Sequence, residues 1–202
     1  MIVKIVCAGA DFFEKLYKED ENEVLVGVDG GIYSIIKLGK TVNLALGDFD
    51  SCNIEEVVMH CDKVKIFPTA KDYGDLELAV QEVTNEYKLE KIIIYNGTGG
   101  RLDHFHALIN VLIKYSKYNI EVIDDRNLIR VITNNTAIRK SNYTYCSIFP
   151  LEDQTKITLK GFKYPLNNYE LKKLDNICLS NEIIDVGLIF VNDKKLLVIE
   201  TL

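Results

Sequence analysis

Six short runs rich in β-branched and other apolar residues punctuate the first 125 residues, and each gives way to a stretch of different period. The runs are Ile2–Val6, Val24–Val28, Leu44–Leu46, Val64–Phe67, Lys91–Tyr95 and Ile120–Ile123. Most are apolar on consecutive residues, the pattern of parallel strands covered on both faces. Between them, Leu76, Val80, Val83 and Tyr87 fall on one stripe of a helix. A second helix is predicted from Leu102 to about Lys117, with Phe105, Leu108, Leu112 and Tyr115 in line and Ile109 and Ile113 beside them. Repeated strand–helix–strand units predict an α/β fold with a mostly parallel sheet, and ligands beyond the carboxyl ends of its strands.

After about Asp125 the texture changes. Short alternating segments (Leu128–Thr133, Thr144–Phe149, Thr155–Leu159, Glu182–Val186, Gly187–Val191 and Lys195–Glu200) are separated by Asn, Asp and Gly turn signals. Val191-Asn192-Asp193-Lys194 reads as a hairpin turn. The expectation is two domains, 1–125 α/β and 126–202 an all-β sandwich.

Charge and composition narrow the function. Hydrophobic residues are 48% and charged residues 27%, the balance of a globular chain rather than a disordered or fibrous one. The formal net charge of −6 comes with no basic run above two residues, so a nucleic-acid partner is not expected. No apolar run approaches the ~20 residues that span a bilayer, and Met1–Cys7 reads as a strand rather than a leader, so no membrane role is expected. Five cysteines, none in a C-x-x-C pair, argue against a zinc site or disulfide framework and fit a reducing, cytoplasmic setting.

Three stretches carry chemistry. In Leu44–Ser51 a strand runs out into Gly47-Asp48-Phe49-Asp50, and alternation along an extended chain would set both carboxylates on one side, a hard-oxygen site suited to Mg²⁺. A turn with solvated aspartates is the bland alternative. In Lys71-Asp72-Tyr73-Gly74-Asp75, Asp72 and Asp75 read either as an N-cap with an acidic first turn or as further metal or phosphate groups. In Tyr95–His104 a strand enters the glycine-rich turn Gly97-Thr98-Gly99-Gly100-Arg101 and a helix follows. Glycines admit phosphate oxygens to the backbone, and Arg101 offers a bidentate contact. Cys7-Ala8-Gly9-Ala10 is a weaker turn of the same kind, and Asp29 ends a strand at the same rim. Ser34–Thr41 imitates a P-loop but falls in an amphipathic helix, with Gly39 as its cap.

Together these stretches resemble the thiamine pyrophosphokinase family. The matches are Asp29-Gly30-Gly31, Gly47-Asp48-Phe49-Asp50-Ser51, Lys71-Asp72-x-x-Asp75 and Gly99-Gly100-Arg101-Leu102-Asp103-His104, then Gly161–Leu166 and Ser180-Asn181-Glu182, in the family's order over almost the whole chain. The resemblance implies Mg-ATP as donor, thiamine as acceptor and AMP as the leaving product. It also implies a nucleotide-binding first domain, a thiamine-binding second domain, and a homodimer with active sites shared between subunits. Asp48, Asp50 and Asp75 would hold Mg²⁺, with Asp72 close by. Asp29, Gly30, Lys71, Gly99, Gly100, Arg101, Asp103 and His104 would line the nucleotide and phosphate site. Ser180 and Asn181 would contact thiamine. Gly74 stands where the family usually has Thr, Leu108 where an Asn is common, and Val42-Asn43 where Pro-Asp is frequent. Two rival readings remain: a haloacid-dehalogenase-like phosphatase with Asp48 as nucleophile, Asp50 as acid and Asp124-Asp125 as second acidic pair, or a catalytically inactive nucleotide-binding module.

Overall fold

Val3, Ile5, Ile92 and Ile94 have no exposed surface, which places strands β1 (Ile2–Val6) and β5 (Lys91–Tyr95) in the middle of a covered layer. The structure is a computed structural model that describes residues 1–50, 52–68 and 72–202. The chain divides into two compact units, Met1–Lys114 with Tyr118–Asp125, and Tyr115–Lys117 with Arg126–Leu202.

In the first unit β1 and β5 are joined by β2 (Glu23–Val28), β3 (Leu44–Gly47), β4 (Val64–Ile66) and β6 (Ile120–Ile123). All run parallel, in the order β4-β3-β2-β1-β5-β6. The chain first builds outward from β1 to β4, then returns to β1's other side with β5. Successive connections therefore leave β1 and β5 in opposite directions, and the crevice between their carboxyl ends is the topological switch point of the sheet. The helices are α1 (Phe13–Leu16), α2 (Gly31–Lys37), α3 (Ile54–His60), α4 (Asp75–Glu86) and α5 (Leu102–Lys114). α4 packs against β2 and β3 and also against α5. α2 closes as the false P-loop reading required: Gly39, at φ 67°, donates its N–H to Ile36, and the Lys40 N–H reaches Ile35, a paired C-terminal cap.

The second unit holds β7 (Asn127–Ile132), β8 (Thr136–Arg139), β9 (Tyr145–Pro150), β10 (Thr155–Phe162), β11 (Leu166–Leu171), β12 (Ile183–Val191) and β13 (Leu196–Thr201). β7, β13 and β9 pair antiparallel in one layer; β11, β10, β12 and β8 pair antiparallel in the other. Ile148, Leu196 and Val198 from the first layer share one core with Ile157, Leu159 and Ile189 from the second, which makes the unit a sandwich.

Two details differ from expectation. The turn after Val191 is not a hairpin, because β12 pairs with β10 and β8 while β13 pairs with β7 and β9. Asn192 instead ties the crossing to β10: its Oδ1 accepts the Lys156 N–H at 2.7 Å and its Nδ2 donates to Gln154 O at 3.2 Å. And β12 runs unbroken through Gly187, where a Cβ would meet the Phe162 ring at 2.7 Å. That glycine makes room for an aromatic ring rather than ending a strand.

Candidate active site

The loops that follow β1 and β5 are locked together. Asn96, buried and at φ 58°, follows β5 directly. Its Oδ1 accepts the Phe12 N–H at 2.8 Å and the Phe13 N–H at 3.0 Å. Those are the first donors of α1, a helix with no side-chain cap of its own, so an amide from a distant loop does the work of a helix cap. The Asn96 Nδ2 donates to Ser34 Oγ on α2 at 3.4 Å. On the other side Gly9 approaches so closely that a Cβ there would stand 2.1 Å from Asn96 O.

Between these loops and the start of α4 lies a cavity of about 590 Å³. Its position, at the switch point and beyond the carboxyl ends of the strands, is where open α/β sheets bind ligands. Of the expected site residues, Asp29, Asp75, Gly100, Arg101 and His104 line it. Asn96, Thr98 and Glu77 line it too, and sequence reasoning assigned them no part. The signal for Asn96 was present: Asn tolerates the left-handed conformation better than most residues, and it directly follows a buried strand. Gly30, Gly99, Asp48, Asp50, Asp72 and Asp103 are not among the lining residues; of these, Gly30, Gly99 and Asp103 adjoin lining residues in the chain. Lys71, like Ser51, lies outside the described residues.

Arg101 and Asp103 face each other at the exposed rim. Arg101 Nε donates to one Asp103 oxygen at 3.1 Å and a terminal nitrogen to the other at 2.6 Å. This fork holds the Asp103 carboxyl down at about 2 and pushes the guanidinium up. Leu108, at the position that departs from the family pattern, is buried on α5 and contributes cavity wall. Cys7 opens the loop after β1; burial, and then the Asp29 carboxylate, push its thiol up to about 12. It is a protonated wall residue, not a nucleophile at neutral pH.

The acidic strand end differs from the expected arrangement. β3 stops at Gly47, and Phe49 adopts φ 53°. The chain turns there, so strand alternation does not govern Asp48 and Asp50. Asp48 Oδ1 instead accepts the Asp50 N–H at 3.3 Å. Gly47 admits Asp29, since a Cβ on it would fall 1.8 Å from Asp29 Oδ1. Asp29 and Asp48 thereby belong to one rim, with the Asp29 N–H bonded to Leu46 O at 2.9 Å.

Asp75 sits at the first position of α4. The helix is capped by Gly74 without any side-chain hydrogen bond, so Asp72 is not the N-cap. A Cβ on Gly74 would meet nothing within 4 Å, and the hydroxyl that the family pattern places there is simply missing. Among the described residues, no group of three or more His, Cys, Asp or Glu side chains stands close enough to hold a metal ion. A preassembled cage of Asp48, Asp50 and Asp75 is therefore not present. The donor chemistry still suits Mg²⁺, which binds hard oxygens, keeps several waters, and uses one or two carboxylates together with substrate phosphates rather than an all-protein cage.

In the second unit Ser180 is exposed, at φ 54°, and its N–H donates to Ser147 Oγ at 2.9 Å. Asn181 is buried. Its Oδ1 accepts from the N–H groups of Tyr164 and Glu182, and its Nδ2 donates to Tyr164 O. The amide is spent on joining the 163–165 turn to the 180–182 segment, and Ser180 is the member of the pair that remains open to a ligand.

A parallel α/β unit with a glycine-flanked, arginine-bearing cavity at its switch point, followed in the chain by an antiparallel sandwich, defines a two-unit protein whose cavity has the donor chemistry for an anionic ligand. The catalytic-domain model of thiamin pyrophosphokinase matches residues 14–123 and its vitamin B1 binding-domain model residues 134–197. A thiamine pyrophosphokinase of Bacillus subtilis is 37% identical over 177 residues, covering 82% of this chain and 80% of that protein. The crystal structure of the thiamine pyrophosphokinase from Bacillus subtilis superimposes with a TM-score of 0.89 at 30% identity, over 100% of this chain and 99% of that one. That of Geobacillus thermodenitrificans gives 0.86 at 31%, over 100% and 98%. The chain belongs to the thiamin pyrophosphokinase family.

Proposed function

We propose that this chain transfers the β- and γ-phosphoryl groups of Mg-ATP, as one unit, to the primary hydroxyl of thiamine, giving thiamine diphosphate and AMP. The observation that carries the reading is the coincidence of two family matches, one in each unit, with a cavity at the switch point of the catalytic unit. The thiamine hydroxyl oxygen forms a bond to the β-phosphorus as the bond from that phosphorus to the AMP oxygen breaks. Such transfers depend on positioning and on charge stabilisation.

Asp48, Asp50 and Asp75 would hold Mg²⁺, which when bound supplies positive charge against the triphosphate oxygens. Asp72 precedes Asp75 in the same short segment. Asp29, Gly30, Gly99, Gly100 and His104 shape the nucleotide and phosphate site, with Lys71 as a further cation. For Arg101 to grip a phosphate bidentately it exchanges its fork with Asp103 for one with the ligand. In the sandwich, Ser180 contacts thiamine and Asn181 holds the turn that presents it. The active form is a homodimer with sites shared between subunits, working in the cytoplasm, where the five free cysteines stay reduced. Two matches to one family, one in each unit, favour this reading over the phosphatase one; Asp124 of its acidic pair accepts from Thr98 Oγ1 at 2.7 Å within the loop scaffold.

Incubation with Mg-ATP, with and without thiamine, tests the proposal. AMP should appear only with thiamine, and Asp48→Asn and Asp75→Asn should each lower turnover by orders of magnitude with unchanged circular dichroism. Inorganic phosphate or ADP as the product overturns it, and tight ATP binding without thiamine-dependent AMP marks the inactive-module alternative.

A further inference from the structure

Glu77 is out of place in a cavity meant for a polyanion. It stands on the first turn of α4, two residues beyond Asp75, and its side chain, 20% exposed, lines the wall. A carboxylate there repels phosphate unless a cation answers it. The cation is Lys114, in the last turn of α5, whose Nζ donates to Glu77 Oε1 at 2.5 Å. The same ammonium lies 4.9 Å from the centre of the Tyr73 ring, and Tyr73 directly precedes the Gly74 that caps α4. One charge from outside the cavity wall therefore engages both the loop leading into α4 and the first turn of that helix. Lysine at this place also complements the negative end of α5.

We infer that Lys114 is a positioning residue for the phosphate donor: it cancels the Glu77 charge at the cavity wall. The inference rests on the reading of the cavity as a nucleotide site. It predicts an asymmetry that a merely structural ion pair does not. Breaking a structural pair changes stability, but it does not make the binding of an anion depend on which partner was removed. Here removal of the lysine leaves a bare carboxylate facing a polyanion, whereas removal of the carboxylate leaves none.

The test is calorimetric binding of a non-hydrolysable ATP analogue, with and without Mg²⁺, to the full chain and to Lys114→Met, Lys114→Arg, Glu77→Gln and the Glu77→Gln/Lys114→Met double variant. Lys114→Met should weaken binding roughly threefold to tenfold, the size of one nearby charge at intermediate dielectric. Its defect should shrink as salt is raised through the range where the Debye length falls below about 8 Å. Glu77→Gln should bind no more weakly than the parent, the double variant should return to within about twofold of it, and Lys114→Arg should retain affinity. In turnover, KM for ATP should rise in Lys114→Met while KM for thiamine stays put. Unchanged affinity in Lys114→Met, or a double variant no better than Lys114→Met, overturns the inference. A parent chain that shows the predicted binding pattern yet makes no AMP overturns the reaction and leaves the inference standing; a parent that does not bind the analogue overturns both.

Discussion

Replacing Asn96 with alanine tests whether one amide holds the cavity's two loops together. The side chain accepts two backbone N–H groups, at 2.8 and 3.0 Å, and the second belongs to Phe13, a residue with no exposed surface. A buried donor left without a partner costs about 1–3 kcal/mol; the Phe12 N–H keeps its 3.0 Å bond to Ala10 O, so this cost falls on the Phe13 donor alone. Alanine at φ 58° adds roughly another 1 kcal/mol of backbone cost. Against a whole stability of about 5–15 kcal/mol, Asn96→Ala should be severely destabilising. Asn96→Gly relieves the backbone part alone, and Asn96→Asp keeps both accepting contacts, so both should lose less. Urea unfolding followed by circular dichroism gives the totals. Hydrogen exchange of the segment from Cys7 to Tyr17 localises them, which matters because the two units need not unfold together. A loss under about 0.5 kcal/mol for Asn96→Ala, or unchanged protection of the Phe12 and Phe13 amides, would refute the cross-loop cap.

Two further outcomes follow from the charged groups. The Asp103 carboxyl should titrate near 2 rather than at its ordinary 3.8, because the Arg101 fork favours its charged form. Since the folded value is the lower one, whatever the pair contributes is complete above about 3.8 and is lost as pH falls through about 2; an NMR titration with a midpoint near 3.8 contradicts the pairing. Lys4, 1% exposed in β1, is paired with Glu23, itself 11% exposed, and with Asp20. Lys4→Ala strips a buried carboxylate of its cation and should destabilise by about 3–5 kcal/mol, measured by denaturant unfolding; a change within experimental error would mean that the side chain is solvated.

The parallel strands were legible because burial on both faces writes itself as consecutive apolar residues, and β1, β5 and β6 have the expected limits. β8 and β11 were missed for the opposite reason. Both are edge strands; β11 buries only Leu171 and β8 only Ile138, so neither carries a period. Gly187 was misread because a glycine that accommodates the Phe162 ring looks, in sequence, like one that ends a strand. At the rim, the residue types were visible but their geometry was not. The left-handed turn at Phe49 and the Asp48–Asp50 contact depend on what packs around them, and no spacing rule encodes that. Asn96, Glu77 and Lys114 were invisible as a set because their roles arise between elements distant in the chain.

In the proposed reaction two phosphoryl groups leave ATP together. ATP labelled in its β-phosphate, supplied with Mg²⁺ and thiamine, decides it. The label should appear in thiamine diphosphate, with unlabelled AMP and one AMP for each product molecule. Label retained in ADP, or released as free phosphate, would contradict it.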